Sequence, residues 1–263
     1  MESSAHFPPI YAQAPFFCCQ AKRTSYESAM LITALGDTAL RIELGDTIDE
    51  PTHRRVQTAL QAIEAARLPG VSEVTSAYTT VTLFYDPQRT VDAGAPADGI
   101  AVWLEARVRE ALARAPKADN AKTRTVEIPV CYGGDFGPDL GVVAAQAKIS
   151  ADDVIKRHSR AEYFVHLVGF APGFAYLGGL PKELATPRRA TPRTTVPAGS
   201  LGIGGAQTGI YPLVTPGGWN LIGRTPLRMF RPEQNPPTLL SAGDRVKFRA
   251  ITREEFVRLE GQP

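Results

Sequence analysis

The sequence predicts an α+β protein: a small two-layer α+β domain over residues 30–115, a linker over 116–123 and a β-barrel domain over 124–259. Three observations carry this. The first part reads strand, strand, helix, strand, strand, helix. The second part is mostly short β-branched runs bounded by glycine and proline turns. Between them, residues 116–123 are charged and hold no large apolar side chain. A chain of 263 residues is long enough for two buried cores.

Organised sequence begins at Met30. Residues 1–29 show no hydrophobic period and no basic segment followed by an apolar core, so the expectation is a disordered leader, with Met30 as an alternative initiator. Apolar runs at 31–35 and 39–44, split by Gly36-Asp37, read as a hairpin. Asp49-Glu50-Pro51 opens a helix, with Asp49 as N-cap and Pro51 in the first turn. Val56, Leu60, Ile63 and Leu68 mark its buried face, and Pro69-Gly70 stops it. Residues 71–77 and 79–85 are strands, 88–98 a polar loop, and 100–115 a second helix with Val102, Leu104, Val108 and Leu112 as its apolar set.

The second part opens with a strand at 124–132 and a glycine-rich loop at 133–140. Helices follow at 138–148, with Asp139 as N-cap, and at 151–159, capped by Ser150. A strand at 162–168 leads into many short turns. A strand at 245–251 and a terminal helical turn at 252–259 close the chain.

Composition excludes several classes. Net charge is +2, which by itself implies no nucleic acid, and no run approaches the ~18 apolar residues of a membrane helix. Cys18, Cys19 and Cys131 form no disulfide framework, which favours a reduced, cytoplasmic setting. His6, His53, His158 and His166 lack partners at ligand spacing, so no dedicated metal site is expected. Ser200 in AGSLG is not a nucleophile elbow, because no helix follows it. Cys131 reads as core, and His166, mid-strand, as packed and hydrogen-bonded.

Residues 169–231 stand apart. They hold twelve of the 23 glycines, and Lys182, Arg188, Arg189, Arg193, Arg224, Arg228 and Arg231 face the single acid Glu183. Such a stretch is either a loop-built anion site on a β scaffold or a set of tight turns with a solvated basic surface. GIGGAQTG (202–209) contains Gly204 and Gly205; it reads as a backbone N–H nest with Gln207 and Thr208 as side-chain donors, or as a plain turn. In YPLVTPGGWN, Gly217 and Gly218 form a tight turn that brings Thr215 and Trp219 together. Tyr211 precedes it, and Trp219 is either a stacking platform or a barrel plug. Arg224 and Arg193 are candidate anion ligands, since a guanidinium forks onto carboxylate or phosphate. Arg188 and Arg189 read as solvated loop residues, and Gly178-Gly179 as only a turn. Asp135 and Asp139 are the acids nearest a glycine loop.

GFAPGFAYLGGL (169–180), ATPRRATPRTTVPAGSLGIGGAQTGIYPLVTPGGWNLIGRTP (185–226) and CYGGDFGPDL (131–140) closely resemble the family of 5-oxoprolinase subunit PxpB, allophanate hydrolase subunit 1 and KipI. They are also similar to half of the carboxyltransferase domain of urea amidolyase. The resemblance runs from about residue 30 to 251 and implies that the barrel is cyclophilin-like. It further implies a complex with a homologous PxpC-like subunit and a PxpA-like subunit of the LamB/YcsF family, using ATP, with Mg at the level of the complex, to open 5-oxo-L-proline to L-glutamate. ATP would phosphorylate the lactam oxygen and expose the carbon to water. On that reading Arg224, Gln207 and Arg193 are the catalytic candidates. Gly204, Gly205, Thr208, Tyr211, Thr215, Gly217, Gly218 and Trp219 are the substrate-binding candidates. Family members often carry Tyr where this chain has His166, and residues 1–29 have no counterpart. The resemblance leaves two alternatives open: a KipI-like inhibitor of a histidine kinase, and a component of an allophanate hydrolase or biotin-dependent carboxyltransferase.

Overall fold

The computed structural model describes residues 30–115 and 123–260. The leader expected at 1–29, and the linker expected at 116–123 apart from Thr123, lie outside the described residues. Strands β1 (Leu31–Ala34) and β2 (Ala39–Glu43) form the expected hairpin. With β3 (Val71–Ala77) and β4 (Thr80–Tyr85) they make an antiparallel sheet in the order β1-β2-β4-β3. Helices α1 (Glu50–Ala66) and α3 (Ile100–Ala113) cover one face of it. Leu40, Ile42, Val81 and Leu83 of the strands there meet Val56, Ile63, Leu104 and Val108 of the helices, all buried. Each such side chain contributes about 1.5–3 kcal/mol on burial.

The Asp49 carboxylate accepts from the Thr52 N–H at 2.8 Å, the N-cap that the Asp-Glu-Pro sequence announces. The helix stops just before Pro69-Gly70: Ala66 is its last residue, and Arg67 caps it with a left-handed φ of 43°. The polar loop expected at 88–98 is in part a helix, α2 (Pro87–Asp92). Asp86 caps it by accepting from the Arg89 N–H. Only Thr90 of that helix is buried, so it has no apolar stripe to read, and Asp-Pro was its one signal.

The second part is a closed barrel. Its strands are β5 (Thr125–Tyr132), β6 (Glu162–Val168), β7 (Ala175–Gly178), β9 (Ser200–Gly204), β10 (Gln207–Ile210), β12 (Asn220–Arg224) and β13 (Arg245–Ala250). They run in the order β10-β7-β6-β13-β5-β12-β9, and β9 pairs back onto β10. Every pairing is antiparallel except β5 with β13, which a long crossover joins in parallel. Side chains alternate in and out along each strand. Ala175, Leu177, Leu201, Ile203 and Ile210 fill the interior, so Tyr176, Gly202, Gly204, Gln207 and Gly209 face outward.

Helices α4 (Leu140–Ala147) and α5 (Ala151–Arg160) send Leu140, Val143 and Val154 into the same core. The Ser150 hydroxyl caps α5, accepting from the Asp153 N–H at 3.1 Å. Helix α6 (Arg253–Glu260) closes the chain with Phe256 buried. Strands β8 (Arg193–Val196) and β11 (Thr215–Gly217) form a separate two-stranded ribbon, so the tight turn expected around Gly217-Gly218 begins as a strand. Among the described residues no helix is long and apolar enough to cross a membrane.

Candidate functional site

The glycines of the 202–209 motif face the outside of the barrel, and Trp219 lies on them. A Cβ at Gly204 would come within 2.5 Å of the Trp219 Nε1; at Gly202 and Gly209 it would meet Trp219 atoms at 3.1 and 3.2 Å. A Cβ at Gly217 would sit 2.4 Å from the Tyr211 hydroxyl. These positions lack a side chain because an aromatic ring occupies that space, and this replaces the nest reading. Gly205 turns the hairpin with φ 66°, and its N–H already donates to the Thr186 carbonyl at 2.8 Å. The Gly218 carbonyl accepts from the Arg189 N–H, also at 2.8 Å.

Around Trp219 an aromatic wall is built on the barrel exterior. Phe174 is its hub, at 5.5 Å from Trp219, 5.4 Å from Tyr211 and 4.9 Å from Tyr176, all edge-on. Val196 of the ribbon buries the far side, so Trp219 is only 5% exposed although it lies outside the barrel. Trp219 is therefore neither a barrel plug nor an exposed platform. Tyr176 is half-buried and 6.2 Å from Trp219. Burial raises the Tyr176 phenol above its ordinary value, Tyr78 adds to that, and the Arg188 charge acts against it. Phe170, 65% exposed with a left-handed φ of 71°, extends the wall from Phe174.

Arg193 and Arg189 differ from the sequence reading, in which Arg193 is a ligand and Arg189 a solvated loop residue. Arg193 donates two hydrogen bonds at 2.8 Å to the buried Asp139 carboxylate, and Arg189 donates a third at 3.1 Å. Asp139 also accepts from the Leu221 N–H. It does stand at the N-cap position of α4, but its side chain caps nothing there. The carboxylate is instead a clamp between the ribbon and β12, and Arg193 is committed to that clamp. Burial alone would raise the Asp139 carboxyl. The Arg193 hydrogen bonds, the Leu221 N–H and the two guanidinium charges outweigh burial and hold it below the ordinary value. Arg188 is the exposed one. Its guanidinium stands 6.0 Å over the Trp219 ring, and no carboxylate pairs with it among the described residues.

The remaining candidates occupy different places. Gln207 faces outward and donates to the Tyr78 hydroxyl at 2.7 Å, a contact from the barrel to the β3–β4 turn. Thr208 points inward and is fully buried. Its hydroxyl donates to the Gly202 carbonyl at 2.9 Å and therefore accepts from the His158 Nε2 at 3.1 Å. That fixes the His158 tautomer, and Nδ1 accepts from the Tyr132 hydroxyl at 2.9 Å. Burial pushes His158 down to about 3, so this chain of hydrogen bonds is neutral and structural, and Thr208 does not reach the wall. Thr215 leaves its buried hydroxyl without a partner among the described residues.

Arg224 is at the opposite end of β9. It pairs with Ser200, while Gln207 pairs with Gly204, about 13 Å away at ~3.3 Å per residue. Its Nε donates to the Ala198 carbonyl and its head group lies over Phe256. Arg224, Gln207 and Arg193 are thus not brought together. His166 is packed as expected, but its Nδ1 has no hydrogen-bond partner among the described residues. A Cβ at Gly178 would fall 2.2 Å from the His166 Nε2, so Gly178 is the seat of that ring and more than a turn.

What the wall offers is an aromatic floor at the half-buried Tyr176, backed by the buried Trp219, with a cation at Arg188 that no carboxylate pairs among the described residues, and polar groups at Tyr78 and Gln207. That set suits a small planar anion. It does not suit a triphosphate, because the motif's Gly205 N–H is spent on Thr186 and Arg193 is spent on Asp139. Sequence reasoning does not single out Tyr176 or Tyr78, and it reads Arg188, which the fold leaves exposed, as a solvated loop residue. Arg188 differs from Arg189 by one position in the same loop, and only the fold shows which of the two meets a carboxylate.

The comparisons with known proteins agree with this architecture. The family model for the carboxyltransferase domain, subdomain C and D, matches residues 30–240. The 5-oxoprolinase B subunit of Bacillus subtilis (strain 168) is 48% identical over 228 residues, covering 86% of this chain and 94% of that one. The corresponding 5-oxoprolinase protein of Escherichia coli O157:H7 is 43% identical over 214 residues, covering 81% and 93%. The crystal structure of TTHA0988 superposes with a TM-score of 0.68 at 34% identity; it covers 81% of this chain, which spans 40% of that protein's length. By matched length, identity and fold, the chain belongs to the family of carboxyltransferase domains, subdomains C and D, together with the 5-oxoprolinase B subunits.

Proposed function

We propose that this chain is the B subunit of a cytoplasmic, ATP-dependent 5-oxoprolinase, in which it holds the lactam 5-oxo-L-proline while the complex opens it to L-glutamate. The observation that carries the reading is the Arg188 guanidinium poised over Trp219 on the aromatic wall, in a chain whose relatives are 5-oxoprolinase B subunits. A planar five-membered lactam stacks on an aromatic floor, and its carboxylate pairs with a guanidinium. The chain's partners in that complex are a PxpC-like and a LamB/YcsF-like chain, and the complex uses ATP.

The test is reconstitution. The three chains are co-purified and glutamate release from 5-oxo-L-proline is measured with ATP. Activity is expected only when all three are present, and Arg188→Ala in the intact complex raises KM about tenfold or more, the loss of a charge-assisted contact. A correctly assembled three-chain complex that releases no glutamate would overturn the reading.

A further inference from the structure

We propose that Tyr78, carried by the β3–β4 turn of the N-terminal sheet, is a ligand-contacting residue of the barrel's aromatic wall and donates its phenolic proton to an oxygen of the bound carboxylate-bearing lactam. The inference rests on the reading of the wall as the lactam site and deepens it: the site is shared between the two folded units. Four observations support it.

The first is placement. The Tyr78 ring lies 6.3 Å from Tyr176, and Tyr176 lies 6.2 Å from Trp219, over which Arg188 stands, so Tyr78 adjoins the half-buried Tyr176 of the wall. The second is hydrogen-bond accounting. The Gln207 amide nitrogen can only donate, so at 2.7 Å the Tyr78 oxygen accepts, and among the described residues nothing takes the phenol's own proton. A phenol turned by an amide and left with a free O–H is a donor awaiting an acceptor. The third is backbone strain. Tyr78 holds a left-handed φ of 44° in a two-residue turn, a position that glycine or asparagine fills without cost. A bulky aromatic kept there serves something other than the turn. The fourth is complementarity. Arg188 and the Tyr78 hydroxyl supply one cation and one neutral donor, which match the carboxylate and the ring carbonyl of one small planar ligand.

A plainer role is available to Tyr78: it could only latch the sheet to the barrel through Gln207. The two roles separate experimentally. The chain has two tryptophans, so a Trp103→Phe background leaves Trp219 as the sole reporter. Its fluorescence is titrated with 5-oxo-L-proline, alongside thermal unfolding of each variant. The same variants are assayed in the three-chain complex for KM and kcat. Tyr78→Phe is expected to weaken binding about tenfold and to raise KM by the same factor, with the thermal midpoint nearly unchanged. Gln207→Ala, which keeps the hydroxyl but frees its orientation, weakens binding several-fold and guards against a Tyr78→Phe protein that fails to fold. A latch alone would lower the midpoint in both variants and leave affinity and KM unchanged, which overturns the inference. A parent protein whose fluorescence ignores the lactam, in the free chain and in the complex alike, overturns the reading of the wall and the Tyr78 contact with it. A response equal in Tyr78→Phe and its parent overturns only the contact.

Discussion

Among single residues, Trp219 lies flat because Gly202, Gly204 and Gly209 lack a Cβ. Gly204→Ala places a methyl 2.5 Å from the indole nitrogen, and backbone on the strand side cannot yield. The expected loss is about 1–3 kcal/mol, the usual result of overpacking, with a red-shifted Trp219 emission as the ring lifts into water. Urea unfolding and an emission spectrum check both. Asp139 is the second such residue. Asp139→Asn removes the charge that two guanidinium groups face and is expected to destabilise by roughly 3 kcal/mol, as when one partner of a buried ion pair is lost. The sign of its pH dependence follows from a folded pKa below the ordinary one: the contribution is present above the normal carboxylate range and is lost as pH falls through the folded value. Wild-type protein should therefore lose stability on the acid limb more steeply than Asp139→Asn.

Between elements, the contact of α1 with β6 is unusual for its histidines. His53 on α1 packs edge-on against Phe164 at 4.8 Å and lies 6.4 Å from His166, and neither nitrogen of His53 is hydrogen-bonded among the described residues. Burial, then the neighbouring His166, pushes His53 down to about 4, while Glu50 opposes and Arg54 assists. Burial also lowers His166, with Glu50 and Asp49 opposing. The unfolded chain binds protons at these residues from about pH 6.5 downward, whereas the folded chain resists until about 4 for His53. Stability is therefore full above pH 6.5 and falls between 6.5 and 4 as the unfolded chain takes up the proton that folded His53 resists. Thermal midpoints measured across that window should fall more in wild type than in His53→Gln. Elements such as α1 and the Gly36-Asp37 hairpin were legible in the sequence because their signals are local: a cap, a period, a turn pair. Helix α2 was not, because its six residues bury only Thr90 and offer no stripe to count.

Across the whole molecule, the sheet-and-helix unit meets the barrel through His53 with Phe164, Tyr78 with Gln207, and Arg245 with Glu50 at 2.8 and 3.0 Å. The Arg245 pair is about a third exposed on both sides, so Glu50→Gln should change stability by no more than ~0.5–1 kcal/mol in urea unfolding. A larger loss would mean that the ion pair, and not the aromatic contacts, joins the two units. Sequence alone specified the α+β class, the ββαββα order of the first unit, the barrel and the stretch in which the site would be sought. Those follow from periodicity, caps and turn residues, which act over a few positions, and from a long motif shared with relatives. What the motif's residues do emerged only with the chain folded. The glycines could be an anion nest or a bed for an indole until Trp219 was placed on them. Arg193 could be a ligand until Asp139, 54 positions earlier, was brought within 2.8 Å. Tyr78 meets Gln207 across 129 positions. Which donor finds which acceptor is settled by the packing of distant segments, and no local pattern in the chain records it.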